Sequence, residues 1–293
     1  MLEPYLLSIV IVTYKSDVYI DDCIKSIYEY NDLGIKLKII VIDNSPIDYL
    51  PIKNICTKYE SVLYLGNPQN NGFGAANNIG AAIVYSKYIL FLNNDVELIE
   101  PVFKSIIKDF EENASLGCVG IRQTGGGMSF FARYEIPGGA KNIKVKNKLG
   151  KFDDSKHFLS GAFMFFRREA FIKSGKFDEK FFMYFEEPDI LKRLQNCGYF
   201  TRYRHDLKFL HKIGNRRYLN EMYSKIACES LIYYIKKNQC DNWKIIFSNW
   251  LWHYRKLRFY FFIKFDYSEI FKINRIIKYD KSLFMKFRNE KGY

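Results

Sequence analysis

The sequence lacks any CxxC pair. Its six cysteines (Cys23, Cys56, Cys118, Cys197, Cys228 and Cys240) are scattered, the closest two being Cys228 and Cys240. This excludes a zinc ribbon and a dense disulfide scaffold, and leaves free thiols in a reducing cytoplasm as the economical expectation. No uncharged apolar run reaches the roughly 18 residues of a transmembrane candidate, so no membrane-spanning helix is expected. No signal peptide is expected either. Leu6 to Val12 is apolar but short, and Glu3 stands where a basic leader segment would be needed. There is no GxGxxG, no GKS or GKT phosphate loop, no internal repeat and no low-complexity segment. Negative charge is in short supply: 32 Asp+Glu face 45 Lys+Arg, leaving +13. Such a balance favours anionic partners, among them nucleotide phosphates, nucleic acid and an acidic bilayer surface.

What is present is a globular composition. Of 293 residues, 48% are hydrophobic and 26% charged, which excludes wholesale disorder. The excess charge sits at one end. His211 to Tyr293 holds 18 Lys/Arg against 7 Asp/Glu, a net of +11, so the preceding 210 residues carry +2. The same stretch holds 20 of the 52 aromatic residues and all three tryptophans. A near-neutral domain over 1–214 and a basic, aromatic, helical extension over 215–293 are therefore expected.

Ser8 to Tyr14, Leu37 to Ile42, Ser61 to Leu65 and Tyr88 to Leu92 are short apolar runs that read as buried strands. Helical spacing of Val18, Ile20, Ile24, Ile27 and Tyr28 predicts a helix over 17–30, and Gly72 to Ser86 reads as a glycine-rich loop entering another. Alternation of this kind predicts a mostly parallel sheet with helices on both faces, whose ligands bind beyond the carboxyl ends of the strands. Further along, Glu100 to Asn113 reads as a helix, Leu116 to Ile121 and Phe158 to Phe166 as strands, and Arg168 to Ser174 and Pro188 to Asn196 as helices. Gly125 to Gly150 reads as a long loop or hairpin over the cleft. Phe209 to Gly214 is expected to end the core, and Tyr218 to Lys237 and Asn242 to Phe265 read as helices.

Each predicted strand end carries a polar group with two readings. Asp43 can accept from a nucleobase or a ribose hydroxyl, or form an Asx turn with Ser45-Pro46. The glycines of Asn70-Asn71-Gly72-Phe73-Gly74 permit close backbone approach ahead of a helix N-terminus able to face a phosphate, or form a packing turn. Asp95, after Asn93-Asn94, suits a divalent cation shared with phosphates, or a turn. Glu186-Glu187-Pro188-Asp189 crowds carboxylates, which raises at least one pKa as a general base requires; helix capping uses Asp189 but leaves two glutamates over. His211 closes another strand as a ligand or an ordinary core histidine.

Taken in order, Ser8 to Tyr14, Val41 to Ser45, Asn70 to Gly80, Phe91 to Asp95 and Gly175 to Asp189 resemble the successive motifs of family 2 glycosyltransferases, nearest to the bacterial rhamnosyltransferase-like branch. The resemblance runs over roughly Leu6 to Gly214. It implies a GT-A fold and an inverting enzyme that takes a nucleotide-diphosphate sugar with Mg²⁺ or Mn²⁺. It implies that Thr13, Tyr14 and Asp43 hold the base and ribose, and that Asn70, Gly72, Gly74 and Asn78 line the diphosphate and donor sugar. Asn93-Asn94-Asp95 matches the metal-binding DxD position, with Asp95 its final acid and Asn93 in place of the first; His211 matches a further ligand of some relatives. Glu187 occupies the base position of the Glu-Asp pair, with Glu186 the alternative because the arm is one carbon longer. Ser160 and Gly161 match a segment beside the acceptor.

By that resemblance the donor is dTDP-L-rhamnose ahead of a UDP-hexose, and the acceptor a glycan or lipid-linked glycan of a bacterial surface polysaccharide. Such a chain would be cytoplasmic, with peripheral residence on the inner face of the membrane. The tail aromatics Trp243, Phe247, Trp250, Trp252, Tyr254, Phe259, Tyr260, Phe261 and Phe262, with Lys244, Arg255, Lys256 and Arg258, would then meet an anionic surface, or else pack on the core or form a homo-oligomer. The rival readings are a single-stranded nucleic-acid binder, a sugar nucleotidyltransferase and an inactive binding module. No RRM, KH or zinc motif supports the first, so nucleic acid is not an expected partner.

Overall fold

The computed structural model describes residues 5–125, 131–134, 152–212 and 220–290. The described residues fall into two compact units. One holds the main sheet and the helices around it; the other holds three C-terminal helices and the short stretch Met183–Phe185.

In the first unit, β1 (Tyr5–Thr13), α1 (Asp17–Glu29), β2 (Leu37–Asp43), α2 (Pro51–Cys56), β3 (Val62–Gly66), α3 (Phe73–Ile83) and β4 (Ser86–Asn93) alternate along the chain. Then follow β5 (Val96–Leu98), α4 (Phe103–Glu112), β6 (Leu116–Thr124), β7 (Phe131–Arg133), of which only Phe131 belongs to this unit, β8 (His157–Leu159), β9 (Phe163–Arg167), α5 (Arg168–Lys173), α6 (Glu186–Asn196) and β10 (Phe200–His211). Eight strands form one sheet in the order β3-β2-β1-β4-β9-β6-β10-β5. The sheet is mostly parallel, as expected. β9 runs antiparallel to β4 and β6, and β5 antiparallel to β10.

Alternation along the strands divides their side chains between two buried faces. Leu7, Ile9 and Ile11 of β1 share a core with Ile20 and Ile24 of α1, Ile52 of α2 and Phe103 and Ile106 of α4. On the opposite face α3 lies so close that a Cβ on Gly80 would meet Val10 at 2.3 Å. There Phe91 meets the rings of Phe166, Phe171 and Phe177 at 4.9–5.8 Å. Helices therefore cover both faces.

The structure adds elements that the sequence reading passed over. α2 fills the place that the strand–helix alternation leaves for a helix between β2 and β3, to which the sequence reading assigned no residues. β10 reaches back to Phe200, well before Phe209, and its register shifts between Arg204 and Lys208. Its charged look has a cause: Arg202 and Arg204 leave the strand to pair with Asp109 of α4 at 2.9 and 2.6 Å. The expected loop over 125–150 falls largely outside the described residues, as does the boundary at 214.

The second unit consists of α7 (Glu221–Lys237), α8 (Trp243–Ile263) and α9 (Tyr267–Glu290). Two helices were expected and three are found. Asn220 caps α7, its side-chain oxygen accepting from the N–H of Met222 at 2.9 Å. The tail aromatics separate by face. Trp250, Tyr254 and Phe261 are buried, as the packing alternative has it for these three, whereas Trp252, Phe259, Tyr260 and Phe262 are exposed. Trp250 donates its indole N–H to Asp280 Oδ2 at 2.8 Å, linking α8 to α9. Among the described residues no helix is long and apolar enough to cross a membrane.

Candidate functional site

Parallel pairing brings the carboxyl ends of three strands level. Thr13 stands opposite Asp43, and Val12 opposite Asn93. Thr13 and Asp43 are buried and Tyr14 is exposed. Asp43 Oδ1 accepts from the Ser45 N–H at 3.0 Å, the Asx turn allowed by Ser45-Pro46, while Oδ2 accepts from the Tyr64 hydroxyl at 3.0 Å. Asn94 Nδ2 donates to Thr13 Oγ1 at 3.2 Å and to the Ser16 carbonyl at 3.3 Å. The β1 and β4 ends are thereby tied into one polar rim.

Asn44 and Asn67 were not singled out in the sequence, yet they join this rim to the glycine loop. Asn67 donates to Asn44 Oδ1 at 2.7 Å, and Asn44 Nδ2 reaches the Gly72 carbonyl at 3.4 Å. Asn44 directly follows a strand-end Asp, which is the signal that could have marked it. Asn70 adopts φ 45°, and Gly72, the N-cap of α3, φ 102°. A Cβ on Gly72 would lie 2.2 Å from the Phe182 carbonyl oxygen, which accepts from the Phe73 N–H at 2.8 Å. Gly74 packs on Phe177. Asn78 turns to the same loop: its amide donates to the Phe177 carbonyl at 2.9 Å and to Glu179 at 3.0 Å, and its oxygen accepts from the Phe177 N–H at 3.1 Å. Asn78 thus fastens α3 to the segment that precedes the acidic turn.

The β4 turn faces both ways. Asn93 donates its N–H to the Ala162 carbonyl at 3.1 Å. Asp95 and His211 are buried together, His211 Nε2 lying 2.9 Å from Asp95 Oδ1. His211 Nδ1 is buried with no hydrogen-bond partner among the described residues. Antiparallel pairing places His211 opposite Val96, so β5 and β10 bring two residues distant in sequence into contact. Among the described residues no group of three or more His, Cys, Asp or Glu side chains could hold a metal. One carboxylate and one imidazole do not make a closed protein cage. They fit a hard cation that draws its remaining ligands from phosphate oxygens.

Glu186, Glu187 and Asp189 open α6. Asp189 is buried and accepts from Arg193 Nε and Nη2 at 2.9 and 2.7 Å, a role within the helix. Glu186 is buried, and its Oε2 has no hydrogen-bond partner among the described residues. Burial first, and then the charge of Glu187, push its carboxyl well above the usual range. Glu187 is partly exposed and lies directly on Gly161. Ser160 Oγ accepts from the Ala162 N–H at 3.3 Å, so Ser160 to Ala162 forms a tight turn between Asn93 and Glu187. Just before α6, Tyr184 and Phe185 both take left-handed backbone, with φ 72° and 69°. Two such non-glycine residues in succession are sparsely populated and concentrate at functional turns.

The Glycosyl transferase family 2 model matches residues 8–175. The chain belongs to glycosyltransferase family 2. The glycosyltransferase is 26% identical over 258 residues to the rhamnosyltransferase WbbL of Escherichia coli K12, a match covering 80% of this chain and 94% of that one. An N-acetylglucosaminyl-diphospho-decaprenol L-rhamnosyltransferase of Mycobacterium tuberculosis is 41% identical over 54 residues, 18% of each chain. Among solved structures, a mannosyltransferase of Pyrobaculum calidifontis in complex with GDP-Man and Mn²⁺ aligns with a TM-score of 0.60 at 12% identity, over 100% of this chain and 82% of that one. TarS of S. aureus aligns with a TM-score of 0.54 at 14% identity, over 78% of this chain; the match spans 43% of TarS. The glycosyltransferase has the GT-A fold, followed by a helical C-terminal region.

Proposed function

We propose that the protein transfers a sugar, with inversion, from a nucleotide-diphosphate sugar to a hydroxyl of a glycan acceptor. The observation that carries this reading is the turn Ser160–Ala162. On one side it accepts from the Asn93 N–H at 3.1 Å; on the other it seats Glu187 against Gly161. A donor lying on the β4 turn and an acceptor activated by Glu187 would meet across that turn.

The chain's own groups divide the work. Thr13, Tyr14 and Asp43 bind the nucleoside at the ends of β1 and β2. Asn70, Gly72, Gly74, Asn93 and Asn94 line the diphosphate and sugar, with α3 presenting its N-terminus to negative charge. Asn78 acts at one remove by fixing the loop at Phe177. Asp95 and His211 would hold Mg²⁺ or Mn²⁺, which supplies positive charge to the diphosphate as it departs. Glu187 accepts the proton of the acceptor hydroxyl as the oxygen forms its bond to the anomeric carbon. The bond from that carbon to the diphosphate oxygen breaks on the opposite face. One displacement inverts the centre, and no covalent sugar–enzyme intermediate forms. Glu186, whose buried carboxyl is held well above the usual range, resists placing a second negative charge in the base's surroundings.

Two relatives are rhamnosyltransferases by name, which supports dTDP-L-rhamnose ahead of a UDP-hexose. The name of the mycobacterial relative contains a polyprenyl diphosphate, which supports a lipid-linked glycan as acceptor and residence at the cytoplasmic face of a membrane. Family membership selects the transferase over the nucleic-acid-binding and nucleotidyltransferase readings. The test is nucleoside diphosphate release from a panel of sugar nucleotides with a lipid-linked glycan acceptor, with and without Mn²⁺. The anomeric configuration of the product is read by NMR. Retention of configuration would overturn the single displacement, and no release from any donor would overturn the activity.

A further inference from the structure

The three-helix unit buries one side of α8 and leaves its far end bare. Phe261 is the last α8 residue turned inward. Beyond it the helix runs on to Ile263, the chain turns, and α9 starts at Tyr267. Arg258 Nη1 donates to Asn274 Oδ1 at 3.2 Å, which sets these two helix ends side by side. The residues between them form the closed end of a helical hairpin. Phe259, Phe262, Ile263, Phe265, Tyr267 and Phe271 all point outward there, each 58–76% exposed. On α8, Arg255, Phe259 and Phe262 recur at helical spacing on one face, and on α9 Tyr267 and Phe271 do the same. Exposed apolar groups gathered in one place and rimmed by charge mark an interaction surface.

The charge identifies the partner. Trp252 to Arg275 contains six Lys/Arg and two Asp/Glu, a surplus of four positive charges. A second copy of the chain would bring the same positive surface against it, and like charges across an interface oppose association. An anionic bilayer offers the opposite sign together with a boundary that accepts aromatic rings at headgroup depth. We propose that the closed end of the α8–α9 hairpin docks on an anionic phospholipid bilayer. Phe259, Phe262 and Phe265 sit among the headgroups, and Arg255, Arg258 and Lys264 lie against lipid phosphates. The inference rests on the exposure and charge of this hairpin and does not depend on the sugar-transfer reading.

The experiment is flotation of the full chain with vesicles of phosphatidylcholine alone and of phosphatidylcholine mixed with phosphatidylglycerol. Binding to the anionic vesicles should be tighter by at least about tenfold, since each basic residue near the surface contributes about fivefold. Added salt should weaken it. Phe259→Ser combined with Phe262→Ser and Phe271→Ser should lower binding by at least about tenfold while circular dichroism and sedimentation stay unchanged. Arg255→Gln with Lys264→Gln should reduce the preference for anionic vesicles and leave the fold alone, which keeps the test open should the serine variant not fold. Equal binding to both vesicles, binding to neither, or a dimer that the serine substitutions dissociate would each overturn the proposal.

Discussion

A Cβ placed on Gly161 would lie 2.5 Å from Oε1 of Glu187 and 3.0 Å from its Cγ. The position of Glu187, the proposed base, is therefore set by the absence of a side chain on a different loop. Gly161→Ala should leave the fold intact, because the crowded atoms belong to the far end of a flexible side chain, but should displace the carboxylate. A misplacement of about 1 Å can cost on the order of 10² in rate, so kcat should fall about 10- to 100-fold with donor affinity unchanged. Steady-state kinetics alongside a melting curve check this. Wild-type kcat in the alanine variant would remove Gly161 from the positioning of Glu187.

Glu187→Gln keeps the shape of the side chain and cannot accept a proton. Loss of general-base help should cost about 10²–10⁴ in kcat while nucleoside diphosphate affinity holds. Glu186→Gln should change little, because burial pushes the Glu186 carboxyl well above its usual range and glutamine imitates the uncharged form that this favours. The reverse ranking of the two variants would move the base to Glu186.

Asp95→Asn should raise the donor KM and the Mn²⁺ concentration needed for half-maximal rate. His211→Ala should act in the same direction and less strongly, since it removes a neutral ligand. Calorimetric titration of Mn²⁺ with nucleoside diphosphate reads the same loss without turnover. Unaltered Mn²⁺ dependence in both variants would leave the 2.9 Å Asp95–His211 contact with a purely structural role.

Asp280 is buried in the three-helix unit against Trp250 and Cys228, and burial raises its carboxyl to about 6. A raised acid binds its proton more tightly folded than unfolded. The stability it contributes is fully present below about pH 4 and is lost as pH rises through about 6. Asp280→Asn should flatten that decline and leave the unit about 1–3 kcal/mol better off at pH 8 than the wild type's own trend. Trp243, Trp250 and Trp252 all lie in α8, so tryptophan fluorescence reports this unit selectively. Parallel pH profiles for the two proteins would count against the assignment.

Gly72→Ala should destabilise the protein, because the left-handed φ of 102° and the Phe182 carbonyl at 2.2 Å leave no room for a methyl group that only backbone movement could supply. A fall in the melting temperature of the whole chain, larger than that caused by Gly161→Ala, is the expected result. Equal melting temperatures for Gly72→Ala and wild type would show the loop to be more yielding than its geometry implies.

Local pattern carried the sheet and its polar rim. Runs such as Ile9-Val10-Ile11 and Ile39-Ile40-Val41 can only be buried strands, and the polar residue that ends each run must then lie at a carboxyl edge, so Thr13, Asp43 and Asp95 were legible as members of one rim. α9 was missed, although Ile273, Ile276, Ile277, Phe284 and Phe287 recur at helical spacing, because the charged Asp280 falls inside that buried stripe. Long-range packing settled what spacing cannot. Arg202 and Arg204 hide a strand because their partner, Asp109, sits on α4. The Asn78 amide faces the Phe177 loop and Glu187 rests on Gly161, contacts made between segments far apart in the chain. Trp250 and Phe259 are alike in composition and helix, but one finds Asp280 across the bundle and the other finds none of its neighbours' core. A residue's type and spacing are local quantities, whereas burial and partnership depend on which distant backbone the fold brings within a few ångströms.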